Sequence, residues 1–215
     1  MLKRQIAVGD IHGCFDVLKT LIEEIIRFTP DEDMLIFMGD YIDRGKKSKE
    51  VVQYLSALKK KFPDKVILLK GNHEELAYNA LTAPEPGKDM MFWRINGGAD
   101  TVISFGGIKN SGEYLIPFIE SLQLYYESDT HIFVHAGIPS GKDPSSATTE
   151  EMLWDRDFSY DGEKRLVVGH TAKSVVANFN QGKIICVDTG AYMTGILSAY
   201  DVINDKVYST KAGNR

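Results

Sequence analysis

Seven residues able to grip a cation or a phosphate group lie in three short clusters, each directly after an apolar run. They are Asp10 and His12 in Gly9-Asp10-Ile11-His12-Gly13, Asp40, Asp43 and Arg44 in Gly39-Asp40-Tyr41-Ile42-Asp43-Arg44-Gly45, and Asn72 and His73 in Gly71-Asn72-His73-Glu74. Two more histidines follow later apolar runs, His135 in Val134-His135-Ala136-Gly137 and His170 in Gly169-His170-Thr171. Taken singly, each cluster would read as a loop cap or a satisfied polar residue. One after each of five apolar runs points instead to a metal-assisted phosphate site. Oxygen and imidazole donors suit Mn, Fe or Zn, and no cysteine stands where a soft ligand would.

The spacing divides these donors into two sets. On an extended backbone, residues i and i+2 project from the same face, so Asp10 and His12 can grip one cation together. Asp40 has two oxygens and can bridge to a second. Asn72 brings a neutral oxygen, which limits the build-up of negative charge where an anionic substrate must enter. The expected arrangement is a first cation on Asp10, His12 and Asp40 and a second on Asp40, Asn72, His135 and His170. His131 and His135 mimic a helical zinc pair, but they flank strand formers and would sit ~13 Å apart at ~3.3 Å per residue, so His131 is rejected as a ligand. The loop from Gly39 is not a Walker loop, because five residues separate Gly39 from Gly45 and Lys47 follows Lys46.

Such a site needs strands that deliver their carboxyl ends to one edge, where ligands collect in open α/β sheets. The runs Gln5–Val8, Met34–Met38 and Val66–Leu69 read as buried strands covered on both faces. Between them, Phe15, Leu18, Ile22 and Ile25 form a helical stripe over Phe15–Phe28, closed by Thr29-Pro30. Ser48 is placed to N-cap a second helix with Val51, Val52, Leu55 and Leu58 on its inner face and Lys59-Lys60-Lys61 at its end. Residues 75–128 read as a mostly helical insertion near the site that shapes substrate access, with Phe92, Trp93, Tyr114, Tyr125 and Tyr126 in its core. Short strands at His131–Val134, Arg165–Val168, Lys183–Val187, Gly195–Tyr200 and Lys206–Ser209 suggest a second, more antiparallel sheet packed on the first.

At 215 residues the chain has room for one domain, 1–215, with a full core. Its net charge of −5 argues against general binding to nucleic acid or anionic membrane. Cys14 and Cys186 make no disulfide framework and read as reduced thiols, a redox role for Cys14 being the minority reading. The apolar stretch after Lys3-Arg4 ends at Gly9-Asp10, too short for a signal sequence, so the expected location is cytoplasmic.

The five motifs together, in this order, resemble the phosphoprotein phosphatase family of metallophosphoesterases. The match runs from residue 9 to about 190 and is most similar to the compact bacterial and phage serine/threonine phosphatases. The resemblance implies an α/β fold, the calcineurin-like αβ-sandwich of two mixed β-sheets flanked by helices, around two divalent cations that are usually manganese. It makes His73 the proton donor to the leaving oxygen, Asp43 its orienting partner, Arg44 a phosphate-holding arginine and Arg156, in Leu153-Trp154-Asp155-Arg156, a second one. The implied activity is phosphomonoester hydrolysis on a phosphoprotein or small phosphoester, in line, by water activated between the cations. It extends to dual specificity for phosphotyrosine, with no regulatory subunit. Hydrolysis of diadenosine tetraphosphate, which uses the same motifs, is the alternative. Ala172 stands where broader metallophosphoesterases carry a second histidine after Gly-His, which favours the phosphatase branch.

Overall fold

The computed structural model describes residues 2–85 and 87–210. The three early apolar runs form β1 (Arg4–Val8), β2 (Asp33–Phe37) and β3 (Val66–Leu68), which pair in parallel and are buried almost throughout. Helices α1 (Phe15–Lys19) and α2 (Ser48–Lys61) make the crossovers. The second sheet is built on β5 (His131–Val134), β6 (Arg165–Val168) and β8 (Ile184–Cys186), again parallel. Its edges are β4 (Tyr125–Glu127) and β7 (Ala177–Phe179), both antiparallel to their neighbours.

Strand alternation decides what each sheet face touches. Ala7, Ile36, Met38, Ile67 and Leu69 of the first sheet face Phe133, Val167, Ile185 and Val187 of the second, forming the dry seam of the sandwich. Ile6, Val8, Leu35, Phe37, Val66 and Leu68 turn the other way, onto α1, α2, α3 (Asn72–Thr82) and α6 (Ile108–Glu120). On the far side, Ile132, Val134, Leu166 and Val168 pack with Met152 of α7 (Thr149–Trp154). The architecture is therefore two mixed sheets flanked by helices.

The last two strands depart from expectation. β9 (Ser198–Asp201) and β10 (Lys206–Ser209) join the first sheet, in the order β10-β9-β1-β2-β3, rather than the second. The edge of β1 facing away from β2 would otherwise present a row of unpaired backbone groups, and β9 pairs with it antiparallel. The second sheet is consequently parallel at its centre, not predominantly antiparallel.

Local departures have equally physical causes. From Thr20 to Ile26 the first helix widens to a π-helical winding, so Leu18, Leu21, Ile22 and Ile26 are buried and Ile25 only partly so. That helix ends at Arg27, in the left-handed region at φ 54°, two residues before Thr29-Pro30. Ser48 is the first residue of α2 but caps nothing. Its hydroxyl turns inward, 3.2 Å from the Asp43 amide and 3.2 Å from the Thr101 hydroxyl. Within 75–128 the chain is helical through α3, α4 (Lys88–Trp93), a turn at Arg94–Gly98 kinked at Gly97, α5 (Ala99–Phe105) and α6, and then turns into strand β4. Trp93 is fully buried, whereas Phe92 and Tyr114 are about half exposed (48% and 51%) and so are not core; Tyr125 and Tyr126 belong to β4. Among the described residues no helix is long and apolar enough to cross a membrane.

Leu35 sits at the centre of β2 with no exposure, packed among the residues beneath the helices. Leu35→Ala is expected to cost about 2–5 kcal/mol, read as a lowered urea midpoint at unchanged slope.

Candidate active site

All the expected site residues except Arg156, which follows helix α7, lie just beyond the carboxyl ends of parallel strands. Asp10 and His12 follow β1, Asp40, Asp43 and Arg44 follow β2, and Asn72 and His73 follow β3 and open α3. His135 follows β5 and His170 follows β6. The turns are strained. His12, Asp40, Asp43, Arg44 and His170 all have positive φ (46°, 52°, 71°, 67° and 61°), half of the ten non-glycine residues in that state among those described. Such conformations persist only where surrounding contacts over-determine them, and they concentrate at functional sites.

Glu74 is one of those contacts. Its buried carboxylate accepts hydrogen bonds from the amides of Asp40 (2.8 Å), Tyr41 (2.8 Å) and Gly71 (3.0 Å), tying the second and third loops together. Burial, and then the charge of Asp40, push its pKa up to about 8. Gly39, at φ 101°, lets those loops touch: a Cβ there would lie 2.7 Å from the Gly71 Cα. In the sequence Glu74 is only the last residue of Gly71-Asn72-His73-Glu74.

The pocket inside these loops is rich in lone pairs and poor in protons. His12 donates its Nδ1–H to the Ile42 carbonyl (2.9 Å), which turns its Nε2 lone pair inward, 3.3 Å from Asp40 Oδ2 and 2.7 Å from Arg44 Nη1. His135 donates Nδ1–H to the Met38 carbonyl (2.8 Å), so its Nε2 faces Asn72 Oδ1 at 3.0 Å and Asp40 Oδ1 at 3.4 Å. Burial lowers the pKa of His135 despite Asp40, and the same effect, reinforced by His135, takes His170 down to about 3. His170 Nδ1 is 3.0 Å from Asn72 Oδ1, and its Nε2 is buried without a partner.

Asp10 completes the set. Its Oδ2 accepts the His170 amide at 2.9 Å, and its Oδ1 is buried and unpartnered. Burial, then Asp188 and Asp40, raise its pKa well above the carboxylate range. Burial would raise Asp40 as well, but His135, His73 and His12 outweigh it and hold Asp40 well below that range.

Acceptors facing acceptors in a buried space are costly unless a cation lies between them. The donor set fits divalent cations on that ground. His12, Asp40 and His73 form one group with ligand atoms within 4.8 Å of one another, and Asp40, His135 and His170 form another. Asp40 is common to both, and Asn72 Oδ1 lies 3.0 Å from His135 and from His170 of the second. The first group has His73 where Asp10 was named; Asp10, on the loop after β1, is tied to the second group through the His170 amide.

His73 is nonetheless committed elsewhere. Its Nδ1 is 2.7 Å from Asp43 Oδ2, and its Nε2 is 4.0 Å from Asp40 Oδ2. Burial lowers its pKa, but the Asp40 charge and the Asp43 hydrogen bond prevail, so the net shift is upward. The Arg44 guanidinium lies over the Tyr192 ring, 4.7 Å from its centroid. Arg156 is exposed and reaches the rim, its Nη1 3.2 Å from Thr171 Oγ1 and 3.4 Å from the His170 carbonyl. His131 lies at the far end of β5 from His135, its Nδ1 against the Thr130 hydroxyl. Burial pushes the Cys14 thiol up to about 11 and Cys186 to about 12, which disfavours reactive thiolates.

Four further residues bear on the site. Thr101 and Trp93 hydrogen-bond to Asp43, Tyr192 underlies Arg44, and Asp188 is buried close enough to Asp10 to raise its pKa. Asp188 follows the apolar run Ile184–Val187, the same signal that marked the other clusters. Thr101 carried no such mark.

The fold and this two-lobed acid–imidazole pocket define a phosphoesterase of the metal-dependent kind. The chain belongs to the calcineurin-like phosphoesterase family, whose model matches residues 3–196. It is 30% identical to serine/threonine-protein phosphatase 2 of Salmonella typhimurium strain LT2 over 216 residues, covering 91% of each chain. A solved structure assigned as a diadenosine tetraphosphatase superposes with a TM-score of 0.73 at 19% identity, covering 100% of this chain and 97% of that one. A Saccharomyces cerevisiae protein serine/threonine phosphatase with similarity to human PP5 gives 0.73 at 18% identity, covering 99% and 81%. At these identities the two structures speak for the fold.

Chelation is expected to lower the melting temperature, because a ligand bound only by the folded state stabilises it, by about 2.7 kcal/mol at 100 times its Kd. Re-adding Mn, Fe or Zn should restore it, and Asp40→Asn should abolish the response in a thermal-shift titration.

Proposed function

We propose that this chain is a manganese-dependent protein serine/threonine phosphatase hydrolysing phosphomonoesters in the cytoplasm, acting without a regulatory subunit. The observation that carries this reading is the His73–Asp43 pair beside a pocket in which Asp40 serves two acid–imidazole groups. The match to the Salmonella phosphatase across 91% of both chains supports the substrate class. Oxygen and imidazole donors with no thiolate support Mn, with Fe or Zn as substitutes.

Asp10, His12 and Asp40 would hold one cation, and Asp40, Asn72, His135 and His170 the other. When bound, such a pair neutralises charge on the phosphoryl oxygens and lowers the pKa of an attacking water. The chain's own side chains do the rest. Arg44 and Arg156 bracket the pocket from separate loops, and each guanidinium fork can take two phosphoryl oxygens. His73 donates its Nε2 proton to the departing alkoxide oxygen as the P–O bond breaks, while Asp43 holds Nδ1–H and stabilises the protonated ring. Burial of Asp43 and His73 keeps water from competing for those hydrogen bonds.

Hydrolysis of diadenosine tetraphosphate is the second reading, favoured by end-to-end likeness to the structure assigned to that activity. Phosphate release after metal removal and Mn²⁺ re-addition separates the two on a phosphothreonine peptide, a phosphotyrosine peptide and diadenosine tetraphosphate. Fast peptide turnover with slow dinucleotide cleavage is expected; the reverse order overturns the phosphatase assignment. His73→Asn should keep its metal content and lose about 10²–10⁴ in kcat on a poor leaving group.

A further inference from the structure

The Asp43 carboxylate has no solvent exposure and meets three side-chain donors. Only one of these donors is His73. The Thr101 hydroxyl accepts the Asp43 amide at 2.8 Å and donates to Asp43 Oδ1 at 2.6 Å, clasping the backbone and side chain of the same residue. The Trp93 indole N–H is shared between Oδ1 and Oδ2 at 3.1 and 3.0 Å. Both residues are themselves fully buried, and both come from the segment between α3 and α6.

That segment is pressed against the second loop in two further places. The Arg44 amide donates to the Gly97 carbonyl at 3.3 Å, and Gly97, at φ 111°, has no room for a side chain, since a Cβ would lie 2.8 Å from Arg44 Cγ. A Cβ on Gly98 would lie 2.6 Å from Trp93 Cε2, so the indole occupies space that only glycine leaves. The contact is made where the chain kinks at Gly97, between α4 and α5.

We infer that Trp93 and Thr101 are positioning residues for the leaving-group proton: they hold the Asp43 carboxylate in the single orientation that presents Oδ2 to His73 Nδ1. The inference rests on His73 being the proton donor. Asp43 adopts a strained φ of 71°, which persists only where surrounding contacts over-determine it, and Thr101 contacts both its amide and its carboxylate. Thr101 supplies the clasp and Trp93 occupies the remaining lone pairs, so the carboxylate cannot swing away when the ring gives up its proton. The helical segment thus acts on the chemistry itself as well as on access.

The test uses the full chain with metal bound and aryl phosphates of graded leaving-group pKa, from 2,4-dinitrophenyl to phenyl phosphate. Its variants are Thr101→Val, Thr101→Ser, Trp93→Phe and His73→Asn, each checked for bound metal. Thr101→Val and Trp93→Phe are expected to lose about 10- to 100-fold in kcat on phenyl phosphate. They should lose little on 2,4-dinitrophenyl phosphate, whose leaving group needs no proton, and Thr101→Ser should behave as wild type. An equal loss across the series, or a loss of bound metal, overturns the positioning role. If His73→Asn is graded while Thr101→Val and Trp93→Phe are flat, the positioning role fails alone; if His73→Asn is itself flat, the donor reading beneath it fails. Should Trp93→Phe not fold, Thr101→Val, which preserves shape and leaves the Asp43 amide its Ser48 partner, decides the matter.

Discussion

The rest of the site depends on one buried carboxylate. Asp40 directs Oδ2 toward His12 and His73 and Oδ1 toward His135, and it is held ionised by those rings at a depth where burial alone would protonate it. A buried charge is tolerable only when its surroundings repay the lost hydration. Here the Nε2 atoms of His12 and His135 lie 3.3 and 3.4 Å from its two oxygens, and a cation shared among them would repay that loss. Metal affinity and loop conformation are therefore one problem: the backbone strain at His12, Asp40 and His170 is what converges the donors, and a bound cation would stabilise them once converged.

Two features of the scaffold hold that strain. The parallel strands of each sheet present their carboxyl ends at a common edge, and the dry seam of Ile36, Met38, Phe133 and Val167 locks the sheets so that loops from both meet. Glu74 then fastens the second loop to the third through three short backbone hydrogen bonds. Its raised pKa is a cost of the same kind as that of Asp10: a carboxylate kept in a crowded, dry place because its acceptors are needed there.

The helical segment between α3 and α6 extends the same logic outward. It adds no donor to the pocket, but it surrounds Asp43 with hydrogen bonds and backs Arg44 with the Gly97 carbonyl. Meanwhile Arg44 lies across Tyr192, at the start of the short helix that leads back to β9. His73, through Asp43, and Arg44 are thus steadied by parts of the chain remote in sequence from both.

Chemistry at strand ends was legible in the sequence because it obeys local rules. Apolar runs of four or five residues bounded by glycine must be buried strands, and Asp10, His12, Asp40, Asn72, His135 and His170 each follow such a run. Asp188 obeys the same rule and could have been found with it. What local rules cannot see is partnership. Whether β9 joins the first or second sheet depends on which strand edge would be left bare, and that is known only once both sheets exist. The inward turn of Ser48, the Thr101 clasp on Asp43 and the burial of Ile26 in place of Ile25 each arise from a contact or winding that residue type does not announce. Sequence by itself determined the donors and their order, because side-chain chemistry and strand periodicity are properties of a few neighbouring residues. The tertiary structure alone decided which oxygen faces which nitrogen, because that follows from backbone strain and hydrogen bonds between segments tens of residues apart.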